Sequence, residues 1–150
     1  MEMQLLSPQH MQSYIKHGYI TLQPNLPPEL HQEIYQQTEA TFETGNPGND
    51  ILPKVNGLTK VFEHPVVHGA LASILGPDYV MHPHRHCHLN KPGSPAQRSH
   101  QDSYEDDENV RHQRTRWAMA FYYPQDVTED MGPTGIQPGT QYYYCLLYTS

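Results

Sequence analysis

The apolar residues of this chain change period once, at Gly76-Pro77, and that change restricts what the chain can build. Upstream, they recur at helical spacing. Ser7-Pro8 reads as a helix start, because Ser caps free amides and Pro has no amide proton to leave unpaired in a first turn. Met11, Tyr14 and Ile15 then share a face, and Gly18 can stop the helix. Residues 19–22 form a short strand candidate. Pro27-Pro28 opens a second helix with Leu30, Ile34 and Phe42 as its apolar contacts, ending near the loop GNPGND at 45–50. A third helix follows Glu63-His64-Pro65, with Val67, Leu71, Ile74 and Leu75 in register.

Downstream the period falls to two. Residues 78–81 look extended, 91–96 are a Pro/Gly/Ser loop, and 117–123 form the strongest strand pattern, closed by Pro124. Trp117, Met119, Phe121 and Tyr123 share one face of it, with Ala118, Ala120 and Tyr122 on the other. One face is expected to line a pocket and the other to pack beneath it, and periodicity does not say which. Turn-forming residues occupy 132–139, and 141–148 is strand-like again. Helices first and strands later predict an α+β arrangement, with helices packed outside a sheet barrel or sandwich. A strand over 142–148 needs a partner that the remaining chain does not supply. The expectation is one domain over 1–150, cut short at its C-terminal side, with CLLYTS at 145–150 a candidate for foreign sequence.

Bulk properties exclude several roles. A chain of 150 residues with 16 acidic and 9 basic side chains, net charge −7, is ill suited to neutralising nucleic-acid phosphates. No apolar run approaches the ~20 residues of a membrane helix, and the amino end lacks the basic-then-apolar pattern of a secretory signal. Cys87 and Cys145 make no disulfide scaffold, so a reducing, cytoplasmic compartment is the simpler expectation. Nothing in the sequence fixes the oligomeric state.

Histidine is abundant, at 11 residues, and much of it is crowded into MHPHRHCHLN. In an extended segment His82, His84, His86 and His88 lie on one side, which suits zinc or nickel. Pro83 interrupts regular pairing, however, and four ligands on one strand span too far for a compact tetrahedron. Hydrogen-bonding or supporting duty competes with the metal reading. His100 and Asp102 make a second candidate, since residues separated by one position in an extended segment point the same way. Two imidazoles and a carboxylate on one octahedral face form the triad of non-haem Fe(II) oxygenases, and the second histidine must come from another strand. By spacing alone His-x-Asp is a weak signal. Glu105, Asp106, Asp107 and Glu108 read as a solvated loop, and Asp126 and Thr128 as turn-formers.

Taken in order, these segments resemble the phytanoyl-CoA dioxygenase family of Fe(II)/2-oxoglutarate oxygenases. The opening helix and GY strand at 7–22, HPVVHGALASILGPDY at 64–79, SHQDSY at 99–104 and DVTEDMGPTGIQPGTQ at 126–141 carry the likeness. The resemblance implies a double-stranded β-helix (jelly-roll) core, incomplete here, flanked by helices. It implies Fe(II) on His100 and Asp102, cosubstrate contacts at Gln101 and Trp117, and 2-oxoglutarate and O2 consumed in hydroxylating a small organic substrate. Gln141 stands where the family pattern has histidine. No histidine follows His112 and no arginine follows Arg116, so the family's second iron histidine and 2-oxoglutarate-binding arginine are missing. The alternatives are a non-catalytic metal- or small-molecule-binding jelly roll, a zinc protein built on the histidine run, and a structural protein without ligand.

Overall fold

A computed structural model describes residues 2–100 and 115–141. Among the described residues five helices carry the fold: α1 (Pro8–His17), α2 (Pro28–Glu43), α3 (Ile51–Lys54), α4 (Gly57–Phe62) and α5 (Pro65–Leu75). Single 3-10 turns occur at Gly48–Asp50 and Glu129–Met131. The three longer helices begin and end where the punctuation predicts. Ser7 Oγ accepts the His10 amide at 3.2 Å ahead of α1, and Gly18, at φ 81°, ends it. That left-handed conformation is costly for any residue with a Cβ. His64 Nδ1 accepts the Val66 amide and so caps α5.

α3 and α4 were not legible in the sequence. Each is too short to show a helical period, yet together they supply much of the core. Leu30 and Ile34 of α2 meet Ile51, Val55 and Val61, with Leu26, Leu58, Cys87 and Tyr122 packed at the edge of the cluster. Ile34 and Val55 are 1% and 0% exposed, so they mark its centre. Burying a side chain of that size contributes about 1.5–3 kcal/mol. α5 turns Val67, Gly69, Ala70 and Ala72 inward. The chain before α1 lies across it: the Gln4 amide donates to Pro65 O and the Leu6 amide to Ser73 Oγ. At Gly69 a Cβ would collide with the Gln4 backbone, so only glycine permits that crossing.

The late chain also packs against α1. A helix leaves its last carbonyls without intrahelical donors. Here Gly139 N donates to His17 O at 2.9 Å, and Gln141 Nε2 to Ile15 O at 2.8 Å. Gln141, which departs from the resemblance, thus has a structural task.

The expected α+β architecture is overturned. No β-strand occurs among the described residues, so the double-stranded β-helix that the resemblance requires is absent there. Residues 19–22, 79–81 and 118–123 form no strand, and Asp78 lies in a turn. Period two prescribes an extended backbone, whereas a strand also needs a neighbour to exchange hydrogen bonds. Residues 118–123 make no backbone–backbone hydrogen bond among the described residues. The strand expected over 142–148 lies outside the described residues.

Candidate functional site

The segment 117–123 is attached to the helices through Tyr122. Tyr122 packs at the edge of the core cluster. Its hydroxyl shares a 2.7 Å hydrogen bond with Nδ1 of His31 on α2, and the two rings stack with centroids 5.8 Å apart. Burial pushes the Tyr122 phenol above its ordinary pKa, so it stays neutral through the physiological range. Ala118 is half-buried on the same face.

The other face looks outward. Trp117, Met119, Phe121 and Tyr123 are 51%, 57%, 54% and 45% exposed. Tyr122 and Ala118 thus pack, whereas Ala120 between them is exposed together with Trp117, Met119, Phe121 and Tyr123. Tyr123 also donates through its hydroxyl to Thr134 Oγ1 at 2.6 Å, which ties the end of the face to the following turn. Beside Trp117 stands His82, edge-on, with ring centroids 5.4 Å apart. Val80, Met81 and Leu89, which flank the histidine run, are exposed too.

His82, His84, His86 and His88 are outward, while Arg85 and Cys87 between them are half-buried. Successive ring centroids lie 6.4, 4.2 and 6.0 Å apart, so the imidazoles are strung along the chain and do not converge on one point. Burial pushes the Cys87 thiol up, which disfavours the reactive thiolate. The Arg85 amide donates to Asn49 Oδ1 at 3.1 Å and pins the run to the turn ahead of α3.

His100 is exposed, and its Nδ1–H donates to Arg98 O at 2.8 Å. Gln101 and Asp102 lie outside the described residues. Among the described residues no group of three or more His, Cys, Asp or Glu could hold a metal ion. The Fe(II) centre with 2-oxoglutarate and O2 is thereby corrected along with the oxygenase activity it would serve, for neither the sheet nor a ligand cluster is present there. The same observation removes the zinc tetrahedron on the histidine run, whose rings are strung along the chain. Trp117, which the resemblance made a cosubstrate contact, is exposed on the 117–123 segment. His31, Tyr122 and the contact of His82 with Trp117 were missed. They join positions up to 91 residues apart, and only Tyr122, on the alternate face of the segment, carried any local signal.

No protein-family model, characterised protein or solved structure matches this chain. The likeness to phytanoyl-CoA dioxygenases therefore stands on short motifs alone and fails on the fold. No helix among the described residues is long and apolar enough to cross a membrane.

Proposed function

We propose that this chain is a non-catalytic small-molecule-binding protein, and that it takes a flat, apolar ligand against Trp117, Met119, Phe121 and the edge of His82. The observation that carries this reading is the uninterrupted exposure of every second side chain from Trp117 to Tyr123, while Tyr122 between them is anchored to α2. Contiguous exposed apolar side chains cost solvation free energy and commonly mark a binding surface. Indole, phenyl and thioether groups offer stacking and dispersion to a planar partner, and the neighbouring imidazole can add a hydrogen bond. No proton-transfer or nucleophilic step is assigned to any residue. We also place the chain in the cytoplasm, where Cys87 would stay a free thiol.

Trp117 is the one tryptophan of the chain, so its emission reports on this face directly. Titration with a planar neutral series (indole, 2-naphthol, 1-pyrenemethanol) should give saturable quenching by at least one member. Phe121→Ser should weaken that binding about tenfold or more, equivalent to ~1.4 kcal/mol. Quenching that stays linear in ligand for every compound, or that is unchanged in Phe121→Ser, refutes the reading.

A further inference from the structure

Residues 79–100 contain no Asp or Glu, but they contain Arg85, Lys91, Arg98 and five of the histidines. Three fixed positive charges in a chain of net charge −7 leave ten net negative charges elsewhere. The separation is spatially organised as well, because the four histidines of the run face solvent and Lys91 and Arg98 are exposed beyond it. Arg85 sits in the middle, and its Nε has no hydrogen-bond partner among the described residues. Imidazole is the side chain whose charge ordinarily changes between about pH 5 and 8.

We propose that His82, His84, His86 and His88 form a proton-gated site for multivalent oxyanions, such as sulfated or phosphorylated small molecules. The inference does not rest on the apolar reading, although the two share His82, whose ring stands edge-on to Trp117. Neighbouring rings lie 4.2–6.4 Å apart. At that separation, N–H donors from two adjacent imidazolium rings can reach oxygens of one sulfate or phosphate with charge-assisted bonds of about 2.8 Å. Without an anion, like charges that close repel, so protonation and anion binding favour each other. One further donor is released in the process. In the neutral row His82 Nδ1 accepts the His84 amide at 3.1 Å, and a protonated His82 can no longer accept, so that amide is freed.

Among the described residues, the exposed Asp78 precedes the segment and α4 carries Lys60. The turn and α3 carry Asp50 and Lys54, Arg116 precedes Trp117, and α2 carries His31 with Glu29, Glu33, Glu39 and Glu43. All four α2 carboxylates are exposed, which makes α2 of a second copy the rival occupant. A small multivalent anion is favoured because its charges are compact enough to meet adjacent rings at once.

The test is calorimetric titration of the full chain with myo-inositol hexasulfate, whose charge is constant over the range, at pH 7.5 and pH 6.0 and fixed ionic strength. Binding should tighten at least tenfold at pH 6.0 with net proton uptake. The gain should fall below threefold in H84Q/H86Q/H88Q and persist in H10Q. The lysine counterpart H84K/H86K/H88K should bind at pH 7.5 about as tightly as the parent chain does at pH 6.0. Equal affinity at both pH values, a gain retained by the glutamine variant, or no gain by the lysine variant would overturn the proposal. So would acid-driven oligomerisation in sedimentation without uptake of the hexasulfate, which would assign the row to a second copy.

Discussion

Ile34 and Ile15 carry the same side chain and should respond very unequally to truncation. Ile34 is buried between α2 and the short helices, whereas Ile15 on α1 is 53% exposed. Ile34→Ala removes buried atoms and leaves a cavity, at a cost of about 2–5 kcal/mol, while Ile15→Ala should stay within about 0.5 kcal/mol. Urea denaturation midpoints compare them directly. Tyr122 makes a finer case. Tyr122→Phe keeps the ring on His31 but removes the shared hydrogen bond, for an expected loss of about 0.5–1.5 kcal/mol. Its phenol is held above the ordinary value by burial, so folding favours the protonated form. That stabilisation is complete below the unfolded-state pKa of about 10 and is lost as pH rises through the higher folded-state value. The alkaline decline in stability should therefore be shallower in Tyr122→Phe than in the parent chain. Equal slopes would contradict the burial of this hydroxyl.

Among the helices, α1 buries no side chain and depends on its ends. Ser7→Ala deletes the N-cap acceptor and should cost about 1 kcal/mol. Gly18→Ala asks an L-residue to hold φ 81°, at about 1–2 kcal/mol, and its Cβ would lie 2.6 Å from Gln141 Oε1. Gln141→Ala removes the donor to Ile15 O. Hydrogen exchange should show all three variants loosening the amides of α1 while those at the centre of α2 stay protected. Loosening of both helices together would mean that α1 belongs to the core unit. Proline, serine and glycine made these boundaries readable beforehand, since their backbone preferences act within a turn. The partners at residues 139 and 141 were not readable, because nothing local encodes a contact more than 120 residues distant.

At the scale of the whole molecule, the sequence reading went wrong where period two was equated with a sheet. Trp117, Met119, Phe121 and Tyr123 do share a face, as alternation requires, but alternation is equally met by a lone extended segment clasped by Tyr122. Ile51, Val55 and Val61 carried too short a pattern to announce α3 and α4, although they close the core over α2. At the candidate site, the family resemblance pointed to Trp117 as a cosubstrate contact, and the structure shows only that its side chain is exposed. Which face opens was not legible, since that depends on His31 accommodating Tyr122.

Residues 118–123 lie on the helical body without a backbone partner among the described residues. Residue-resolved hydrogen exchange at neutral pH measures this. The account predicts rapid exchange for the amides of 118–123, alongside strong protection at Leu30, Ile34 and the interior of α5. Protection of alternate amides in 118–123 approaching that of α2 would reveal a strand paired within a sheet, and would contradict both the fold and the binding face built on it.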